Sequence, residues 1–160
     1  MSTTLTHTMT YDAALEDVSA MLDDPAYRDD VMKAQGGTSG TFVIEQSGDV
    51  TTAVVDQVQP AAGLPSYAAK IVGSQINIVQ REEWTSAAYA DLHVTIPDKP
   101  GQMVGSITLD EDGATTTETV EVEITVNIPL VGGKIEKLIA DMLRKALRAE
   151  ETVATDYLSR

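Results

Sequence analysis

His7 and His93 are the only histidines in the chain, and each stands in a run of alternating residues. His7 shares a face with Leu5 and Met9 and can point inward. His93 shares one with Tyr89, Asp91 and Thr95 and is expected to face solvent. A metal site usually needs three convergent ligands, and no HExxH or comparable spacing is present. The acidic pairs Asp23–Asp24 and Asp29–Asp30 and the run Asp110 to Asp112 lack EF-hand spacing and read as solvated loops and helix ends. No metal and no cofactor are expected. For acid–base chemistry the candidates are His7, Glu82 and Tyr67. Glu82 and Glu83 are strand neighbours, so at most one of them faces inward; the other pairs with Arg81 or is solvated. Ser66 and Ser74 lack a G-x-S-x-G setting.

Gly132–Gly133 separate a β-like run from an amphipathic segment in "NIPLVGGKIEKLIADML". A phosphate loop needs a longer glycine frame and a Lys-Ser/Thr pair, whereas Lys134 is followed by Ile135. A hinge or packing role is the expectation, with an anion at the free helix amides the minor alternative. Trp84 is the only tryptophan, in a chain with 4% aromatics. It reads as a core anchor whose indole N–H finds one partner, or as a cavity wall. Met103 and Met142 are flexible gap-fillers on interior faces. Asp56, Gln57 and Gln80 are single polar residues in strands, of the kind that can orient a ligand.

These residues need elements to position them. Thr3 to Thr10 alternates as a strand. Asp12 is expected to cap a first helix carrying Ala14, Leu15, Val18, Met21 and Leu22 on one stripe. Pro25 opens a second short helix that ends at Gly36–Gly37. From Thr38 to Ile128 the period changes to two, with hairpin breaks at "SGD", near Ser86–Ala87, and at "EDG"; "LPSYAAKIVG" reads as a helical turn or two between strands. The last strand alternates Val120, Val122, Ile124, Val126 and Ile128 with Glu121, Glu123, Thr125 and Asn127, the mark of an antiparallel sheet with one wet face. A final helix, roughly Val131 to Leu158, carries an apolar stripe of Val131, Ile135, Leu138, Ile139, Met142, Ala146, Ala149, Val153 and Tyr157. Five basic residues of that helix contrast with an otherwise acidic chain of net charge −14.

The charge argues against a nucleic-acid partner. With no cysteine, disulfides, thiolate metal sites and cysteine nucleophiles are excluded, and a reducing cytosol is the expected setting. The first residues show neither a basic n-region nor an apolar h-region, so no signal peptide is expected; no apolar run reaches about 18 residues, so no membrane insertion is expected. At 160 residues with 42% apolar content, residues 1–160 read as a single domain able to bury roughly 70% of its unfolded surface.

The order of strand, two small helices ("ALEDVSAMLDD" and "PAYRDDVMKA"), meander and long helix resembles the START-like helix-grip (SRPBCC) superfamily, which includes birch-pollen allergens and polyketide cyclases. The segment "QPAAGLPSYAAKIVGSQINIVQREEW" resembles an uncharacterised bacterial branch, domain of unknown function 2505. The resemblance implies an α+β fold in which a curved antiparallel sheet of about six or seven strands wraps around the C-terminal helix. It also implies a hydrophobic cavity between them, used across the superfamily for lipids, sterols and polyketides. The expected function is therefore binding of an apolar small molecule or lipid. Val122, Ile124, Leu92, Val94, Met103 and Ile107 would line the sheet side, Ile135, Leu138, Ile139 and Met142 the helix side, with Trp84 at one end. The alternatives are a cyclase- or hydrolase-type enzyme in the same cavity and an interaction module with a filled core. A homodimer through the basic helix face stays open.

Overall fold

The computed structural model describes residues 2–160. Seven strands and four helices follow in the order β1 (Thr3–Tyr11), α1 (Leu15–Leu22), α2 (Pro25–Ala34), β2 (Ser39–Ser47), β3 (Val50–Pro60), α3 (Ser66–Val72), β4 (Gln75–Ser86), β5 (Tyr89–Thr95), β6 (Gln102–Asp112), β7 (Thr115–Thr125) and α4 (Gly132–Leu158). The strands form one antiparallel sheet ordered β1-β7-β6-β5-β4-β3-β2. Consecutive strands from β2 to β7 pair antiparallel, β3 and β4 being joined through α3, and β1 closes against the last of them, with Leu5 opposite Val122. This is the expected α+β architecture: a curved sheet with a long C-terminal helix on its apolar face.

The period-two pattern puts Leu5 and Met9, Val120, Val122 and Ile124, Ile107 and Leu109, and Leu92 on the inner face, all at most 4% exposed. Val18, Met21 and Leu22 of α1 and Ala140, Leu147 and Ala154 of α4 close over them. Burying each large aliphatic side chain contributes about 1.5–3 kcal/mol.

Two local expectations change. Asp12 does not cap α1. The helix begins at Leu15 with Ala14 at the N-cap position and no side-chain cap. Glu111 of β6 accepts from the Leu15 amide at 2.8 Å instead, so the cap comes from a strand 96 residues away in sequence. The buried line of α4 is also rotated by about one residue. Ile135 stays buried, but Glu136, Ala140, Leu147, Glu150 and Ala154 form the rest of the line, while Leu138 and Ile139 are half-buried and Met142 is 37% exposed. The two carboxylates hid this line from a purely apolar count. Glu136 earns its place by accepting from Thr3 Oγ1 and the Val126 amide, each at 3.0 Å, which ties the helix start to β1 and to the end of β7.

Of the two glycines that open α4, Gly132 has the packing role expected, and neither makes a left-handed turn. Leu130 takes the positive φ, at 72°. A β-carbon on Gly132 would collide with the Val126 carbonyl oxygen, whereas one on Gly133 meets open space. Gly132→Ala is therefore expected to cost about 1–3 kcal/mol. Gly133→Ala is expected to be neutral or to gain up to about 1 kcal/mol from helix propensity. Urea midpoints of the two variants check this; equal losses would refute the close-approach account.

Candidate functional site

A helix of 27 residues spans about 40 Å and cannot cover every strand of a curved sheet. α4 packs over β1 and β7 and against α1 and α2. Opposite β3, β4 and β5 it leaves a cavity of about 160 Å³, closed on its far side by α3. Its wall is mostly aliphatic: Leu64, Ala68, Ile71 and Val72 around α3, Ile76, Ile78, Val94 and Met103 from the sheet, and Ile135, Leu138, Ile139 and Leu143 from α4. The exposed residues Lys99, Pro100 and Met142 mark its rim.

Six of the eleven residues expected to line such a cavity do so: Val94, Met103, Ile135, Leu138, Ile139 and Met142. Leu92, Ile107, Val122 and Ile124 do not line it and lie in the packed core, where α4 covers β1 and β7 and α1 packs on β6 and β7. Trp84 is buried away from the cavity. Its indole donates to Glu82 at 2.9 Å, and one edge of the ring reaches a shallow surface hollow beside Ser19, Asp23 and Thr51. The walls that sequence reasoning missed come from α3 and β4, where the apolar residues are spread over an irregular break.

The cavity also has a polar end. Gln59 donates to Gln57, Gln57 to Gln35, and Gln35 to the Ala146 carbonyl, at 3.1, 3.1 and 3.2 Å. Gln80 and Glu150 complete this end. Behind them lies a buried ionisable cluster. Arg28 holds Glu82 in a two-pronged pair at 2.9 and 3.0 Å and donates its Nε to the Leu22 carbonyl. Trp84 and Gln80 donate to the same carboxylate. Burial pushes Glu82 up, but the charge and hydrogen bonds of Arg28, with those of Trp84 and Gln80, hold it below its ordinary value. Burial likewise opposes the Arg28 charge, and Glu82 outweighs it.

Two further carboxylates share this interior. Glu118 of β7, 2% exposed, accepts from the Tyr11 hydroxyl at 3.3 Å. Burial, then the charge of Glu150, raises it to about 8. Glu150 of α4, 8% exposed, is raised to about 7, mainly by burial and against the pull of Arg28. The Tyr27 hydroxyl faces Glu150 but meets no group in hydrogen-bond geometry. Tyr27 packs edge-on against Tyr157, whose hydroxyl donates to Asp24 at the N-cap of α2.

The three acid–base candidates do not reach the cavity. Glu82 is sealed in its pair. His7 is half-buried on β1 with Nε2 unpartnered, and Tyr67 lies under the Lys134 ammonium, 4.7 Å from its ring centroid. That version of an enzymatic reading falls. Glu83 pairs with Arg81, and His93 faces solvent, both as expected. Of the three strand polars, Gln57 and Gln80 line the cavity, while Asp56 is exposed and accepts from Asn77. Among the described residues no cluster of three potential metal ligands occurs, and no helix is long and apolar enough to cross a membrane.

The family described as "Protein of unknown function (DUF2505)" matches residues 6–158. The chain belongs to it. This DUF2505 protein is similar to an uncharacterized protein of Mycobacterium tuberculosis, 26% identical over 131 residues, covering 78% of this chain and 71% of that one. Its fold is similar to a START superfamily protein from Mycobacterium smegmatis, with a TM-score of 0.60, 14% identity, and 97% and 98% of the two chains covered. It is also similar to norcoclaurine synthase from Thalictrum flavum, with a TM-score of 0.63, 11% identity, and 100% and 88% covered. At these identities the likeness is one of fold: the chain has the fold of these START-like proteins.

Proposed function

We propose that this DUF2505 protein binds an apolar small molecule, or the end of a lipid chain, in the cavity between α3, the sheet and α4. The observation that carries the reading is the aliphatic-walled cavity of about 160 Å³. An engineered apolar cavity of about 150 Å³ stays dry and takes a benzene-sized guest. The natural occupant therefore inserts a group of about one ring or a short branched chain, and affinity comes from apolar burial at about 25 cal/mol per Å². The cysteine-free, acidic sequence supports a cytosolic setting with no nucleic-acid partner.

Toluene titration followed by the isoleucine methyl signals of the folded protein tests this. Ile76, Ile78 and Ile139 line the cavity and are expected to shift, and Ala68→Phe, which adds a ring from α3, is expected to abolish the shifts. Methyl signals that stay put at saturating toluene would overturn the proposal. Native mass spectrometry with organic extraction of the purified protein then gives the chemical class of any co-purifying guest.

A further inference from the structure

We propose that the guest of this cavity carries a hydrogen-bond donor, best a protonated amine, on its apolar body, and that Glu150 receives it. The inference rests on the binding reading above and adds the polarity of the ligand.

The argument is the missing partner of Glu150. The four glutamines of the polar end each place an N–H on another group, Gln59 on Gln57, Gln57 on Gln35, Gln35 on Ala146 and Gln80 on Glu82, and none is bonded to Glu150. Of the other donors, the Tyr27 hydroxyl faces Glu150 without reaching hydrogen-bond geometry. Arg28 and Trp84 serve Glu82, and the Tyr11 hydroxyl serves Glu118. Among the described residues none of these reaches Glu150. Its carboxylate lines the cavity on a residue only 8% exposed, and the nearby Tyr27 hydroxyl is itself left without a partner in hydrogen-bond geometry.

A carboxylate offers about four acceptor sites and no donor when ionised. Leaving it unmatched in a low-dielectric interior is costly, and a charge-assisted hydrogen bond from a ligand removes that cost. Three buried charges act on it: Arg28, whose pull is the strongest but which is held by Glu82, then Glu82 itself, and Glu118; the cation Lys99 stands apart at the exposed rim. An anionic head group would meet repulsion here, and an ammonium would meet attraction.

The test uses three one-ring probes at pH 8: benzylamine, toluene and benzoate, each titrated against the isoleucine methyl signals of the cavity. Benzylamine is expected to bind at least about tenfold more tightly than benzoate. Glu150→Gln is expected to remove about tenfold or more of the benzylamine affinity while leaving toluene within about twofold. If toluene binds but benzoate matches benzylamine, or Glu150→Gln leaves benzylamine unchanged, the amine assignment is wrong and apolar binding stands. If no probe moves the cavity methyls, both fall together.

Discussion

Arg28→Met is expected to lower the unfolding free energy by about 3–5 kcal/mol, the largest single-residue loss in this interior. The guanidinium is 3% exposed, and it neutralises a carboxylate that is 1% exposed. Removing it leaves Glu82 with the Trp84 and Gln80 hydrogen bonds but no compensating charge. Glu82 then has two poor choices, a buried charge or protonation. Burial without its cation raises its pKa, so the loss is greater at pH 8 than at pH 5. Glu82→Gln strands the Arg28 guanidinium, which cannot shed its charge, and is expected to be costly as well, while the double replacement Arg28→Met with Glu82→Leu restores much of the stability, since apolar pairs often match buried ion pairs. Urea denaturation of the three variants at both pH values measures this. A single Arg28→Met variant within about 1 kcal/mol of the parent would contradict the account.

Stability is also expected to fall as pH rises from 5 to 8, by an amount on the order of 4 kcal/mol. The sign follows from Glu118 and Glu150, whose folded values of about 8 and about 7 lie above the ordinary 4.5. A group with a raised folded pKa holds its proton more tightly in the folded state. Its contribution is complete below the unfolded value and is lost as pH climbs through the folded one. Glu82, depressed by Arg28, acts in the opposite sense and matters only below the ordinary carboxylate range. Melting temperatures between pH 5 and 8 read the slope. The net charge of −14 adds its own self-repulsion, so the control is the Glu118→Gln/Glu150→Gln pair, expected to flatten most of the slope and to melt higher than the parent at pH 8. A double variant with an undiminished slope would assign the effect to the surface instead.

The sheet and the long helix were legible because their signals are periodic. The alternation from Val120 to Ile128 and the three-and-four spacing of the last helix name their faces directly. The polar interior was harder, because each member is one polar residue in an apolar phase. Glu118 falls in step with Val120 and Val122, and Glu82 in step with Gln80 and Trp84. Glu150 lies four residues beyond Ala146 and seven beyond Leu143. That signal was present, and for Glu82 it was read as one inward carboxylate of two. What brings Arg28 to Glu82 is the docking of α2 on the far end of the sheet, a contact 54 residues apart that no local spacing encodes. The cavity residues of α3 were obscured for a related reason: seven residues after a proline carry too little periodicity to declare a face.

The run of amides from Gln59 through Gln57 and Gln35 to Ala146 joins β3, the end of α2 and the middle of α4 across the space between them. It is placed like a girth strap. In the proposed site a guest that fits inside would leave every link intact, and one that forces the walls apart would have to break a link worth about 1 kcal/mol before gaining any contact. Because Gln35 is also the C-cap of α2, stretching the strap loosens that helix end as well. Under the proposed binding reading, the reach of three glutamines would set a size limit on the guest, independent of how greasy the walls are.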